Sequence, residues 1–169
     1  MYKTALKPLV DDSSRILILG TMPGEQSIAK QQYYGNNGNH FWKILFTIFN
    51  ENFSTSYDDR KAFLKKHQIA LWNVLGSCKR EGSSDAKITN EVVNDFTGLH
   101  NKYPNIKYIF FESKAAAKYF NKYVTPQNDI SYHTLPSTSG LNAGISLAQK
   151  VESWKVLAEA AMKKQIKQP

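Results

Sequence analysis

Three loops of the sequence carry the residue types that a chemical site needs. They read GTMPG (Gly20 to Gly24), YYGNNGNHFW (Tyr33 to Trp42) and LPSTSGLNAG (Leu135 to Gly144). The first offers backbone amides at a tight turn, the second offers aromatic faces and amide side chains, and the third offers hydroxyls. Amide groups can read the edge of a flat heteroaromatic ring while an aromatic side chain stacks on its face. The three loops therefore indicate a site for such a ring.

Structural roles explain some of these residues equally well. Tyr33 and Tyr34 are either two packing residues, or one of them lies over a pocket. Asn39 stands at the start of a predicted helix, where capping the first turn is its default role. Leu141 either projects from its glycine-flanked loop or folds back over the last helix. From the residues alone, these alternatives stay open.

Other chemistries find little support. The segment GTMPGEQS has neither the G-x-G-x-x-G spacing nor the Gly-Lys-Ser/Thr ending of a phosphate-binding loop, which argues against a kinase or a dehydrogenase. The four histidines lack the spacing of metal ligands, Cys78 is the single cysteine, and no G-x-S-x-G segment supplies a serine nucleophile. We therefore expect no metal, no cofactor and no covalent nucleophile.

Buried strands and amphipathic helices alternate along the chain. Short apolar runs predict strands at 15–20, 69–75, 106–112 and 130–136. Apolar positions every three or four residues predict helices in NHFWKILFTIF, DDRKAFLKKH, SSDAKITNEVVNDF, SKAAAKYFNKY and GISLAQKVESWKVLAEAAMKKQ. The order β-α-α-β-α-β-α-β-α predicts an α/β fold, a three-layer α/β/α sandwich around a central four-stranded, mostly parallel sheet.

The polar loops all follow predicted strands. GTMPG follows the first strand, GSCKREGSSD the second, ESK the third and LPSTSGLNAG the fourth. In parallel sheets the ligand crevice lies beyond the carboxyl ends of the strands, where the strand order reverses. Gly, Pro, Ser and Asn end many strands that have no site. That alternative explains less well why two proline loops with apolar tips share one edge.

The length and the net charge of the chain limit the classes of protein to which it can belong. The chain has 169 residues, a net charge of +8 and a pI near 9.5. The length suits one domain spanning residues 1–169. The charge favours polyanionic partners, although a solvated basic surface would give the same value. No signal-peptide pattern opens the sequence and no run of about eighteen apolar residues occurs, so we expect a cytoplasmic protein without a membrane span.

The three loops, in this order, resemble the paired motifs of the uracil-DNA glycosylase superfamily. The likeness runs from about Arg15 to Trp154 and is strongest to the hypoxanthine-DNA (deoxyinosine) and the mismatch-specific uracil/thymine-DNA glycosylases. LWNVLGSCKREGSSDAKI also resembles a segment that hypoxanthine-DNA glycosylases carry, usually with Asp where Asn73 stands. The resemblance implies an enzyme that swings a deaminated base out of duplex DNA and hydrolyses its bond to the sugar.

The resemblance also implies roles for individual residues. Asn39 would hold the attacking water through its carbonyl while its NH2 group donates to the base or the sugar, with the backbone of Thr21 beside it. Met22 and Tyr34 would bind the base, Tyr34 by stacking, and Glu112 is a further candidate for contact with the base on its own chemistry. The residues expected to contact DNA are Pro136, Ser137, Thr138, Ser139, Leu141, Asn142, Lys79 and Arg80. Because no motif lysine is placed for a lyase step, the resemblance implies a monofunctional, cofactor-free enzyme. We expect a monomer that acts on double-stranded DNA.

The sequence departs from the superfamily pattern at positions near the base. No Asp or Asn follows the first turn, where Thr21 stands, and Leu135 replaces the histidine of enzymes that excise uracil strongly. His133 shares a strand face with Leu135 and is either structural or catalytic. Glu112 stands where relatives tend to have Asn; it either accepts from a purine N–H or serves as a charge at a helix start. Because Leu135 removes the usual donor to uracil, hypoxanthine is favoured as the excised base.

A second class of function is a nucleic-acid or nucleotide binder that keeps the fold without the chemistry. The missing carboxylate after the first turn and the changed pocket rim support it. A third class is a small-molecule nucleoside hydrolase, whose substrate binding would depend little on salt. An Asn39→Ala variant that binds DNA but has lost turnover would favour the enzyme over the binder.

Overall fold

Seven strands and six helices form in the described part of the chain, residues 2–142 and 144–163 of a computed structural model. The strands are β1 (Tyr2–Thr4), β2 (Ile16–Gly20), β3 (Ile69–Asn73), β4 (Leu75–Lys79), β5 (Thr89–Val93), β6 (Tyr108–Phe111) and β7 (Ser131–Thr134). The helices are α1 (Glu25–Lys30), α2 (Phe41–Ile48), α3 (Tyr57–Lys66), α4 (Phe96–Lys102), α5 (Lys114–Tyr123) and α6 (Leu147–Lys163).

A parallel sheet with the strand order β3-β2-β6-β7 lies at the centre. β2 pairs with β3 on one side and with β6 on the other, and every residue of β2 is buried. Such strands read as continuous apolar runs because helices or other layers cover both faces. The chain leaves β2 toward β3 and later returns to β6 on the opposite side. The strand order therefore reverses between β2 and β6, beyond Gly20 and Phe111.

Different layers cover the two faces of the sheet. Successive β2 side chains point to opposite faces, so Ile18 packs with α2, α3 and α6, where Trp154 is fully buried. Leu17 packs on the other face with Phe120 of α5, with α4 and with Cys78 of β4. Two cores, one on each side of the sheet, hold its strand ends in fixed positions.

A second sheet, which the sequence patterns did not predict, joins the N-terminal segment to the middle of the chain. β4 lies between β1 and β5 and pairs antiparallel with both, with Tyr2 opposite Lys79. The predicted strand 69–75 therefore divides at Val74. The Val74 N–H donates to the Gly20 carbonyl at 2.8 Å, which ties the start of this second sheet to the end of β2.

The prediction of a helix in SSDAKITNEVVNDF is wrong. A single 3-10 turn covers Asp85–Lys87, the chain continues as β5, and α4 begins only at Phe96. The branched side chains of Val92 and Val93 suit a strand once a partner is present, and β4 supplies that partner. The helix α1 was not predicted because its six residues are too few to show a helical period.

The predicted fold class is confirmed. All four predicted strands form, each slightly shorter than expected, and the other four predicted helices correspond to α2, α3, α5 and α6. The single-domain organisation stays a prediction. Within the described residues, no helix has both the length and the apolar content that a membrane crossing requires.

Candidate active site

Residues from separate loops meet beyond the carboxyl ends of β2 and β6. Glu112 directly follows β6, and its N–H donates to the Leu19 carbonyl of β2 at 2.9 Å. Thr138, on the loop after β7, lies between Glu112 and Asn39, which precedes α2. The three candidates therefore share the edge where the strand order reverses, as the sequence predicted.

Asn39 is held by its carbonyl oxygen. Oδ1 accepts from the Phe41 N–H at 2.9 Å and lies 2.8 Å from the Thr138 hydroxyl. The Phe41 bond sets the orientation of the amide, because only the oxygen can accept from an N–H. Nδ2 donates to none of the described residues. Oδ1 has the Phe41 N–H on one side and the Thr138 hydroxyl on the other, so the NH2 group is the end of the amide better placed to meet a ligand, and the expectation that the carbonyl holds the attacking water stays a prediction.

Glu112 anchors the loop after β7. Its Oε1 lies 2.8 Å from the Thr138 hydroxyl, 3.0 Å from the Thr138 N–H and 3.3 Å from the Ser137 hydroxyl. Burial, helped by the nearby Asp85 carboxyl, raises the pKa of Glu112 to about 7 against the effect of these hydrogen bonds. Ser113, the next residue, caps α5 through the Ala116 N–H, so Glu112 is not needed as the cap of that helix. Within the described chain, the second oxygen, Oε2, forms no hydrogen bond.

Tyr34 forms a rigid aromatic platform with Phe41. The two rings stack with centroids 3.8 Å apart and planes 11° from parallel. A Cβ added to Gly20 would lie 3.1 Å from both the Tyr34 hydroxyl and Asn73 Nδ2, so glycine leaves room for the ring at the end of β2. Burial raises the pKa of Tyr34 well above its usual value, and the charge of Glu112 adds to the effect. The phenol is therefore a protonated donor, with one ring face covered by Phe41.

Tyr33, by contrast, is a packing residue. It is buried, its hydroxyl donates to the Lys7 carbonyl at 2.8 Å, and its own carbonyl accepts from the indole of Trp42. His133 stacks against Phe110, with ring centroids 5.0 Å apart. The structural alternative therefore explains both side chains.

Thr21 and Met22 form the inner wall after β2. Met22 is buried and packs with the core beneath α4 and α5. Thr21 is also buried, its carbonyl accepts from the Leu75 N–H at 3.1 Å, and its hydroxyl lacks a hydrogen-bond partner within residues 2–142 and 144–163. Neither side chain is on the open surface, so both can meet a ligand only from within the crevice.

Asp85 is a crevice residue that the sequence patterns missed. It sits on the 3-10 turn between β4 and β5, with Oδ1 3.7 Å from the Arg80 guanidinium. Burial raises its pKa, while the nearby Thr21 hydroxyl and Arg80 lower it. Asp85 in turn raises the pKa of Glu112 and that of Tyr34, so three acidic groups influence one another here. The wrongly predicted helix concealed Asp85, whereas the Gly-Ser-Ser turn signal before it would have revealed a loop.

Arg80 does not reach the surface. It is 2% exposed, and its guanidinium donates to the Pro23 carbonyl at 2.5 Å and to the Gly82 carbonyl at 3.1 Å. The expected phosphate contact by Arg80 is therefore wrong, since this side chain fastens two loops together. Lys79 is exposed, with its ammonium 5.5 Å from the centre of the Tyr2 ring, and remains a candidate for DNA contact.

The loop after β7 presents Leu141 at its tip. Leu141 is 92% exposed, so it projects from the loop instead of folding back. Buried Lys150 of α6 donates to the Ser139 carbonyl at 3.1 Å, and Asn142 donates to the Ser137 carbonyl at 3.2 Å. Thr138 is fully buried, so the expected contact of its hydroxyl with phosphate is wrong. The loop is firmly held at its base.

Pro136 also belongs to this fixed base, because its carbonyl accepts from the Trp154 indole at 3.0 Å. Of the residues expected to contact DNA, the loop therefore leaves Pro136, Ser137, Ser139, Leu141 and Asn142 in place as candidates.

Comparison with known proteins decides the family. The uracil DNA glycosylase superfamily matches residues 8–159, which span the crevice and both cores. The chain belongs to this superfamily. The resemblance of the loop motifs is thereby confirmed, and membership of the superfamily makes the protein a DNA glycosylase with DNA as its substrate.

Similar members of the superfamily come from two archaea. A hypoxanthine DNA glycosylase of Methanosarcina barkeri is 42% identical over 120 residues, 70% of this chain and 76% of the relative. A hypoxanthine DNA glycosylase of Methanosarcina acetivorans is 38% identical over 155 residues, 90% of this chain and 96% of the relative.

A solved structure of a superfamily protein has the same fold. It is a solution NMR structure of a Methanosarcina acetivorans protein provisionally named a uracil DNA glycosylase. The likeness has a TM-score of 0.81 at 35% identity and covers 96% of this chain and 99% of that one.

Proposed function

We propose that the protein is a monofunctional DNA glycosylase that excises hypoxanthine in preference to uracil, by water attack on a nucleotide flipped out of duplex DNA. One observation carries the proposal: the Tyr34 platform, the amide of Asn39 and the carboxyl of Glu112 lie together beyond the ends of β2 and β6. The names of the two relatives support hypoxanthine as the base.

The base would stack on the ring face of Tyr34 opposite Phe41, with Met22 on the inner wall. Hypoxanthine presents an N1–H donor, whereas adenine presents an acceptor at N1. The Oε2 atom of Glu112 would accept from that N1–H. A carboxylate there rejects adenine because two acceptors would face each other in a buried site.

Bond cleavage builds positive charge on the sugar and negative charge on the departing base. The NH2 group of Asn39 would donate to the base as its charge develops, next to the backbone of Thr21. Of the two roles expected for Asn39, this one fits the contacts better, because Oδ1 lies against the Phe41 N–H and the Thr138 hydroxyl. The carboxyls of Asp85 and Glu112 would favour the cationic sugar.

The DNA would lie across the loop after β7. Leu141 would fill the gap left by the flipped base, while Ser137, Ser139 and Asn142 at its base and Lys79 nearby would meet phosphates. The net charge of +8 supports such an approach to duplex DNA. The enzyme would act as a monomer without a cofactor, in the cytoplasm.

Single-turnover cleavage of labelled duplexes tests this function. Each duplex carries one hypoxanthine, uracil or xanthine opposite each normal base, and alkali then breaks the abasic sites. We expect cleavage at hypoxanthine first. Cleavage at uracil as fast as at hypoxanthine would contradict the proposed preference, and binding of every duplex without any cleavage would favour the non-enzymatic binder.

The Asn39→Ala variant tests the catalytic assignment. We expect the single-turnover rate to fall by about 10²- to 10³-fold, as for loss of a donor to a developing negative charge, with little change in DNA affinity. Asn101→Ala is the matched control, since Asn101 is exposed on α4. Full activity in Asn39→Ala would refute the role of Asn39.

A further inference from the structure

The Thr138 hydroxyl faces two acceptors but has one proton to donate. Its Oγ1 lies 2.8 Å from Asn39 Oδ1 and 2.8 Å from Glu112 Oε1. Both acceptors are fixed by backbone donors, Oδ1 by the Phe41 N–H and Oε1 by the Thr138 N–H. Neither side chain can therefore turn a donor toward the hydroxyl without losing a backbone hydrogen bond.

The protonation state of Glu112 decides which acceptor receives the Thr138 proton. An ionised carboxylate is the stronger acceptor and takes it, which leaves Asn39 Oδ1 facing an oxygen lone pair at 2.8 Å. A neutral carboxyl competes less, so the hydroxyl donates to Asn39 and the amide gains a second restraint. The Asn39 amide is thus held more firmly when Glu112 is neutral.

We infer that Glu112 is a positioning residue that orients the Asn39 amide through the Thr138 hydroxyl. The inference rests on the proposed function, because Asn39 matters only where its NH2 group meets the base. Glu112 and Thr138 also hold the base of the loop that carries Leu141, with Ser137 beside them. One hydrogen-bond network therefore both holds the loop after β7, which would contact DNA, and aligns the Asn39 amide.

Other charged and titratable groups face this network from the elements around it. Asp85, on the turn between β4 and β5, raises the pKa of Glu112, and the Tyr34 phenol responds to the charge of Glu112. Arg80 partly neutralises Asp85, and Lys150 of α6 is bound to the Ser139 carbonyl of the same loop. With the pKa of Glu112 at about 7, both arrangements of the hydroxyl proton occur near neutral pH.

Three variants test whether Glu112 orients Asn39 through the Thr138 hydroxyl, a connection that we call the relay. Each variant is assayed by single-turnover excision of hypoxanthine. Thr138→Val keeps the side-chain shape but removes the hydroxyl, and we expect a rate at least about tenfold lower. Affinity for a duplex with a tetrahydrofuran abasic site should stay within about threefold. Thr138→Ser should restore most of the rate. Glu112→Gln keeps a neutral acceptor beside the hydroxyl and cannot ionise, so the change in rate that the wild type shows through pH 7 should be absent from it, whatever its rate at pH 6.

Thr47→Val is the matched control, because among the described residues the Thr47 hydroxyl bonds only to the Lys43 carbonyl, within helix α2. Thermal melting of each variant checks folding. A wild-type rate in Thr138→Val, or an equally slow Thr138→Ser, would overturn the relay. So would a change in the rate of Glu112→Gln through pH 7 that equals the wild-type change.

The Asn39 side-chain amide signal in NMR spectra gives a test that needs no catalysis. In the wild type it should shift with a midpoint near pH 7, and in Thr138→Val and Glu112→Gln it should not. A shifting signal in a protein that excises no base would leave the relay standing and refute the proposed function. An invariant wild-type signal would refute the relay whatever the protein excises.

Discussion

Replacement of Glu112 by glutamine should stabilise the fold increasingly as the pH rises. The pKa of Glu112 is raised from 4.5 to about 7 on folding, chiefly by burial. The folded state therefore holds the proton more tightly than the unfolded state. The resulting contribution to the free energy of unfolding is complete below about pH 4.5 and is lost as the pH rises through 7. Since each tenfold difference in proton affinity is worth ~1.4 kcal/mol, the full effect is about 3 kcal/mol. Glutamine cannot ionise and escapes this loss.

Urea unfolding followed by tryptophan fluorescence, at several pH values between 5 and 8, measures the effect. The free energy of unfolding of Glu112→Gln relative to wild type should rise by about 2–3 kcal/mol across this range. Glu91→Gln is the control, because Lys122 and Tyr123 lower the pKa of Glu91 to about 2, and its difference from wild type should be flat above pH 6. A difference for Glu112→Gln that is equally flat would refute the reasoning.

Three further variants or reagents probe other parts of the site. Leu141→Ala should leave the melting temperature nearly unchanged, because the side chain is 92% exposed. It should slow excision from duplex DNA more than excision from single-stranded DNA, and equal slowing on both would contradict the proposal that Leu141 fills the gap left by the flipped base. Gly20→Ala should lower the single-turnover rate by about tenfold or more, because its Cβ would lie 3.1 Å from the Tyr34 hydroxyl and Asn73 Nδ2; an unchanged rate would show that the base does not enter there. Cys78 is fully buried with a raised pKa, so a thiol reagent should modify it only after unfolding, and rapid reaction of the native protein would argue against this burial.

The central sheet was predictable because its strands are buried on both faces. β2 shows an uninterrupted apolar run that no amphipathic helix would give. β5 was not predictable in the same way, since its residues are exposed or half-buried and their strand conformation depends on pairing with β4. Local propensity therefore sufficed for the core but failed where a distant partner decides the conformation.

The candidate site was predictable as a set of loops but not as a set of contacts. Asn39 and Thr138 are 99 positions apart, and no local pattern shows that a hydroxyl links them. Arg80 looked like a phosphate ligand because basic pairs usually are exposed, yet the carbonyls of Pro23 and Gly82 needed donors inside the fold. Asp85 was concealed by a helical pattern that tertiary pairing overrides.

The pairing of β1 with β4 also bears on how the protein is made. Tyr2 is synthesised before β2 and β3, but its partner Lys79 is produced only after both of these strands. Contacts between such distant segments form slowly, because closing a long loop costs conformational entropy before the contacts contribute any stabilisation. Asp85 depends on this pairing, since it lies on the turn that leaves β4. A ribosome-bound fragment that ends before β4 holds only β2 and β3 of the central sheet and lacks Asp85, Glu112 and Thr138, so the crevice is completed only after the later strands have been made.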